Sequence, residues 1–401
     1  MQSEAINNSL QKLIKWLEGK NWKGYDPYDI KGLKFIISIT ALGNRNKFFA
    51  IFREVIFELL YTFPVFFRKF LGVKPKVNAK AMGLFAKSFI DLYKLTENEE
   101  YKYKADECLK WLLENKKETN TGYGWGYPFN WQSAKFIPAF TPNGIVTTSV
   151  GDAFWTYYKM TGEKIYLKYC IKIAGFLYSL PKDIINNNIC FSYTPLFTNH
   201  VHNLNLFVAE FLIKIGIETG NQEWITAGNS AVSYTLADQR NNGSFDYNGP
   251  PEKPQNLVDN YHTGFVLRML HSVWLLTQRD DVYESLSKCY THYISNFFED
   301  NELPKFTPER KYRIDIHSSA ESVNCLSELS VTFPDAIDLA QNILLWTIKN
   351  LQDKNGYFYY GIFKSRFTGF PYVSKIAYIR WSQAWMLKAI TNYLKFKKNI
   401  T

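Results

Sequence analysis

A chain of 401 residues, 46% hydrophobic and 21% charged, can bury a large core and is not composed like a disordered protein. Its formal charge of +10 rests on 47 lysines and arginines scattered without a dense run, which argues against a nucleic-acid footprint. The 5 cysteines, an odd number set mostly in helical patterns, read as reduced thiols, and the opening MQSEAINNSLQKL lacks the apolar core of a signal peptide, so a cytoplasmic protein is expected.

Taken in chain order, the first element is NSLQKLIKWLEG, an amphipathic helix leading through the loop KGYDPYD to IKGLKFIISITAL, read as its partner helix. Residues 46–76 follow, NKFFAIFREVIFELLYTFPVFFRKFLGVKPK, with phenylalanines throughout and cations at both ends. Arg53, Glu54, Glu58 and Pro64 interrupt the run, which argues against a spanning helix. The segment 43–78 reads as a helical insertion that packs on the rest of the chain or makes a peripheral contact with the inner face of a membrane. Beyond it, five phrases begin at Thr96, Thr161, Thr219, Thr277 and Thr332, at intervals of 65, 58, 58 and 55 residues, and each continues with helical spacing of apolar residues. Thr96 with Glu99 has capping-box spacing and is read as a helix start. After each phrase comes an aromatic loop: GYGWGYPF, CFSYTPL, GSFDY, LPKF and GYFYY. A more apolar helix follows each loop, such as VDNYHTGFVLRMLHSVWLL.

Counting the N-terminal copy, six helix–loop–helix units are present. So short an array is expected to close on itself, giving an all-α (α/α)6 toroid over 1–401 with the first helix of each pair outside. Closure would bring the aromatic loops to one end of the ring, around a funnel suited to stacking on sugars. Trp125, Tyr127, Trp131, Tyr193, Phe245, Tyr359 and Trp381 are the candidate platforms, and Asp26, Asp29, Asp152, Asp246, Gln132 and Gln383 the candidate hydroxyl partners. Asp259 and Asp315 precede inner helices of consecutive repeats. Neighbouring helices lie about 8–10 Å apart, compatible with the roughly 6.5–9.5 Å that inverting hydrolysis needs between carboxylates. Both aspartates also suit N-caps. His262, His317 and His202 fall in what read as equivalent first turns, where an imidazole can move protons near neutral pH. Tyr261 next to His262 allows a second chemistry, proton removal beside a carboxylate that Arg380, Arg313 or Asn260 would neutralise. His271 and His292 read as packed. No metal or other cofactor is expected: the Cys190, His200 and His202 string matches no common zinc spacing, and the glycines form no phosphate cradle.

The phrases GYDPYD, LLENKKETNTGYGWGYPFNWQS, CFSYTPL, VDNYHTGFVL, DIHSSAESV, NLQDKNGYFYY and YIRWSQAWML together resemble bacterial polysaccharide-biosynthesis proteins of the VpsJ type, from about residue 20 to 395. The resemblance implies a six-hairpin toroid associated with exopolysaccharide or capsule clusters and carries no catalytic residues with it. Such proteins also bear a delta-aminolevulinic acid dehydratase label, which this chain does not fit for want of a lysine pair or cysteine-rich metal site. Three readings follow: a hydrolase, lyase or uronate epimerase acting on an acidic oligosaccharide or lipid-linked saccharide; a noncatalytic sugar-binding scaffold; and, more remotely, a terpene-cyclase-like toroid suggested by QRNNGSF and QDKNGYF.

Overall fold

The repeated threonines mark helix ends rather than helix starts. In the computed structural model, which describes residues 2–132, 135–253, 258–365 and 368–400, the helices are α1 (Gln2–Glu18), α2 (Lys34–Gly43), α3 (Lys47–Thr62), α4 (Pro64–Phe70), α5 (Ala79–Thr96), α6 (Glu99–Glu114), α7 (Gly144–Thr161), α8 (Lys164–Tyr178), α9 (His202–Thr219), α10 (Gln222–Leu236), α11 (Asn260–Thr277), α12 (Asp280–Asn296), α13 (Ile316–Leu329), α14 (Ala336–Leu351) and α15 (Trp385–Ile400). Thr96, Thr161, Thr219 and Thr277 close α5, α7, α9 and α11. Each hydroxyl donates to the carbonyl four residues back, at 2.7 to 3.1 Å, a local bond that suits threonine to the last turn. Asn98 and Asn221 cap the next helices by accepting from the amides of Glu100 and Trp224, so the Thr96–Glu99 capping box does not form. Thr332 lies in the turn between α13 and α14.

Six helices form the inner wall. α5 packs on α7, α7 on α9, α9 on α11, α11 on α13 and α13 on α15, and α15 returns to α5, which closes the ring. Outside, α6, α8, α10, α12 and α14 each cover the inner helix before them, while α1 lies against α14 and α15. This is the (α/α)6 toroid. The two rings differ as their positions require: α9 is buried along almost its whole length, whereas α6 buries only a stripe of Tyr101, Ala105, Cys108, Leu109 and Leu112 with Lys104.

The helix that α1 covers in the inner ring is α15, not residues 30–42. That apolar run forms α2, which buries only Ile36, in a small cluster with Ile30 and Leu60 apart from the main core. α2, α3 and α4 stand together on the outside, and Pro64 at the first turn of α4 separates it from α3. None of the described helices is long and apolar enough to cross a membrane.

The aromatic loops hold short antiparallel strands, including Lys117–Thr119 with Gly122–Gly124 and Gly361–Lys364 with Pro371–Ser374. In TGYGWGYPFNWQ, a Cβ on Gly122 would lie 1.8 Å from the Lys172 carbonyl oxygen, and one on Gly126 would lie 2.1 Å from that of Thr141. These glycines let the loop press against α8 and against the segment that returns toward α7.

Candidate functional site

A cavity of about 130 Å³ opens at the end of the ring where the inner helices begin. The second residue of each inner helix from α5 to α13 lines it, namely Lys80, Ile145, Asn203, Tyr261 and His317. The loops add Tyr28, Tyr127, Phe129, Trp131, Tyr193 and Tyr247, and a π-helical turn before α15, Ile379–Ala384, adds Arg380 and Trp381. His262 and Phe265 complete the wall. The cavity therefore brings together eight of the residues proposed from sequence: Tyr127, Trp131, Tyr193, Tyr261, His262, His317, Arg380 and Trp381.

Asp259 caps α11 by accepting from the backbone amide of His262 at 2.9 Å through Oδ1, while its Oδ2 lies 2.6 Å from Nδ1 of the same histidine. A carboxylate oxygen accepts, so Nδ1 carries the hydrogen and Nε2 is left with its lone pair toward the cavity. Beside it, the ring centroid of Tyr261 lies 4.3 Å from His262 and 4.8 Å from His317, and Trp381 is 4.3 Å beyond His317. His317 donates from Nδ1 to the Trp381 carbonyl at 3.3 Å. Burial, with Lys80 and Arg380 nearby, holds its pKa well below the ordinary imidazole value, so it is a neutral imidazole at neutral pH. Burial also raises the Tyr261 phenol, with Asp259 adding to it.

Arg380 is gripped by Asp26 through Nε at 2.6 Å and Nη2 at 2.8 Å, neither bond using Nη1. Its guanidinium lies 4.8 Å from the Tyr127 ring centroid and 5.2 Å from that of Trp381. Tyr127 stacks on Phe129 at 5.3 Å, and Trp131 meets Tyr193 edge-on at 5.6 Å. Lys80 is buried with its Nζ 5.0 Å from the Trp385 ring centroid and 5.7 Å from that of Phe265. Burial chiefly, and Arg380 next, push its pKa well below the ordinary lysine value.

The other sequence candidates lie elsewhere, for identifiable reasons. Asp259 and Asp315 do not line the cavity. Asp315 is fully buried as the cap of α13, accepting from the His317 amide and from Trp381 Nε1, and burial raises its pKa against the pull of Arg313. Asp26 stands behind Arg380, and Asp29 caps a short turn and pairs with Arg68. His202 is sealed beneath the surface by Asp238 and Thr235, with Phe245 packed against it. His200 is held by Asp183 and Glu252. Trp125 is a core residue whose Nε1 donates to the Leu112 carbonyl at 2.9 Å. Gln383 brackets the backbone of Phe358, Tyr359 donates to Asp353, Asp246 pairs with Arg240, and Gln132 is half-buried outside the cavity. Asn260 joins a buried network with Tyr293 and Ser322, and Arg313 packs over Phe306.

Tyr28, Lys80, Phe129, Asn203, Tyr247 and Phe265 were not singled out from sequence. The signal for four of them was positional: Tyr28 lies in KGYDPYD, Phe129 in GYGWGYPF, Tyr247 two residues beyond Phe245, and Phe265 one turn beyond Tyr261. A second cavity of about 320 Å³ lies at the opposite end of the ring, but its charges answer one another: Lys214 pairs with Asp152 and Glu210, Lys87 and Lys395 with Asp91, and Arg268 with Glu321.

Neither a protein-family model nor a curated protein sequence matches the chain. Solved structures do. A GH76 alpha-mannanase from Bacteroides thetaiotaomicron is 10% identical with a TM-score of 0.62, over 80% of this chain and 87% of the other. A cellobiose 2-epimerase from Bacillus thermoamylovorans is 11% identical with a TM-score of 0.62, over 80% and 88%. An unsaturated glucuronyl hydrolase from Bacillus sp. GL1 is 12% identical with a TM-score of 0.61, over 97% and 96%. At these identities the likeness is one of fold, the (α/α)6 toroid.

Proposed function

We propose that this chain is a carbohydrate-active enzyme that moves a proton at a sugar carbon next to a carboxylate or carbonyl, as an epimerase or lyase does. The observation that carries the reading is the lining itself: two imidazoles, one backed by Asp259, flank Tyr261, and among the described residues no carboxylate faces the cavity. Glycoside hydrolysis ordinarily needs two carboxylates at the scissile bond. Proton transfer at carbon needs a base with a free lone pair, a donor across from it and a neighbour for the developing oxyanion.

His262 Nε2 takes the proton, and its positive charge is met by Asp259. The electrons move into the adjacent carbonyl or carboxylate, whose oxygens gain negative charge within reach of Arg380. Return of a proton from the Tyr261 hydroxyl on the opposite face inverts the carbon; departure of a leaving group from the next carbon, protonated by Tyr261, completes an elimination. Trp381, Trp131 and Tyr127 offer faces for the sugar ring. The volume of about 130 Å³ suits one ring held in the cavity. We extend the reading to an acidic oligosaccharide or lipid-linked saccharide of exopolysaccharide or capsule assembly, supported by the VpsJ-type resemblance, by Arg380 in the lining, and by fold neighbours that are a mannanase, a glucuronyl hydrolase and an epimerase.

The test is proton NMR of uronate-containing oligosaccharides and reducing disaccharides incubated with the protein in D2O. Deuterium wash-in at one ring carbon, lowered at least a hundredfold in His262→Asn and Tyr261→Phe, is expected. Glycosidic cleavage without exchange would establish hydrolysis instead, and binding without either reaction would establish the scaffold reading.

A further inference from the structure

We propose that α3 and α4 dock this protein on an anionic lipid bilayer. α3 carries two apolar faces where a surface helix needs one. Ile56, Phe57 and Leu60 turn inward onto the small cluster built on Ile30 and Ile36. Phe48, Ile51, Phe52, Val55 and Leu59, at spacings of three, one, three and four, form a second stripe about a third of a turn away, and all five are exposed, Phe48 by 72%. α4 continues it with Phe66 and Phe70, 62% and 74% exposed, their rings stacked at 6.0 Å and turned outward. With Phe35 and Phe63, six phenylalanines stand in solvent, together on the order of 700 Å² of apolar surface by the usual size of the side chain. Soluble monomers rarely leave a patch of that size uncovered.

Charge identifies what covers it. Between residues 31 and 76 nine lysines and arginines stand against two glutamates, so this segment holds most of the net charge of the whole chain. Lys34, Arg45, Lys47, Lys69, Lys74 and Lys76 are exposed, while Glu54 is paired with Arg53. A second copy would bring the same excess of positive charge and be repelled. An anionic bilayer accepts both the aromatic stripe and the cations, the combination by which interfacial helices bind. A neighbouring hairpin extends the surface: Tyr372 shares a hydrogen bond with Thr62 of α3, and Phe370 and Val373 beside it are exposed.

The docking unit is fastened to the cavity wall. Arg68 of α4 bonds to Asp29 at 2.8 Å and to the carbonyl of Asp26, the residue that holds Arg380. Lys31 sits over the rings of Tyr28, Phe57 and Tyr61. Resting on the saccharide reading of the cavity, this places the mouth beside the headgroups and makes a saccharide linked to a lipid the fitting substrate.

Co-sedimentation of the full chain with vesicles tests the proposal. Wild type is expected to pellet with vesicles of phosphatidylcholine and phosphatidylglycerol, at least fivefold less with pure phosphatidylcholine or in 0.5 M salt. Phe66→Ser combined with Phe70→Ser is expected to cut binding at least tenfold, with an unchanged melting temperature and unchanged turnover of soluble saccharide. Wild type that stays in the supernatant, variants that pellet equally, or a wild-type dimer that the double substitution dissolves overturns it. Vesicle binding by a protein that turns over no saccharide leaves the docking standing and removes the proposed function.

Discussion

Asp259→Asn separates the two duties of this carboxylate with little change of shape. Asparagine caps helices about as well as aspartate, so Oδ1 is expected to keep the 2.9 Å bond from the His262 amide and the fold to lose about 1 kcal/mol or less. The second atom, now an NH2, faces Nδ1 across the 2.6 Å position and can only donate. His262 must then present its lone pair at Nδ1 and its hydrogen at Nε2, so the nitrogen facing the cavity becomes a donor and can no longer take a proton from carbon. Loss of a general base is worth about 10²–10⁴ in rate. The assay is initial deuterium wash-in, with thermal melting as the control for folding. A variant that folds like wild type and exchanges within threefold of its rate would refute the assignment of His262 as base, because no other residue in the wall has its tautomer set by Asp259. Asp259→Ala makes the complementary case: it loses the cap as well, and is expected to cost about 0.5–2 kcal/mol more in stability.

Lys80→Met is expected to stabilise the protein at pH 7. The folded state resists protonating Lys80, whereas the unfolded chain keeps that lysine charged up to about pH 10.4. The native state therefore binds fewer protons, wild-type stability rises with pH through that window, and the gain from Lys80→Met shrinks toward pH 10; urea unfolding at pH 7 and pH 10 measures it, at ~1.4 kcal/mol per unit of pKa difference. Trp125→Phe and Trp381→Phe should behave oppositely. The first removes a buried bond to Leu112 and is expected to lower stability by about 1–3 kcal/mol with KM unchanged; the second lines the cavity and is expected to raise KM several-fold. Saturation kinetics with denaturant titration distinguishes them, and equal KM effects would refute the placement of the mouth.

The ring was legible because its signal is repeated: six apolar helices at nearly constant spacing admit few arrangements, and the aromatic loops had to gather wherever the ring closed. What repetition does not report is direction. The three histidines read as equivalent occupy three successive positions, His202 first, His317 second and His262 third in their helices. Each step turns a side chain by about 100°. The first position sends His202 outward beneath α10, to Thr235 and Asp238; the second sends His317 to the axis beside Lys80; the third leaves His262 at the rim, where only Asp259 can reach its inner nitrogen. Counting from the threonines could not find this order, since those residues end the preceding inner helices and the loops between vary in length. Counting from the caps does: Asn78, Asn143, Asp259 and Asp315 each stand two residues before a cavity residue, Lys80, Ile145, Tyr261 and His317. Lys80 then ceases to be one lysine among many, because its cap assigns it the same inward direction as Tyr261 and His317. In a toroid, the cap residue fixes which side chain meets the substrate, and an aspartate that does this is already engaged in holding its own helix.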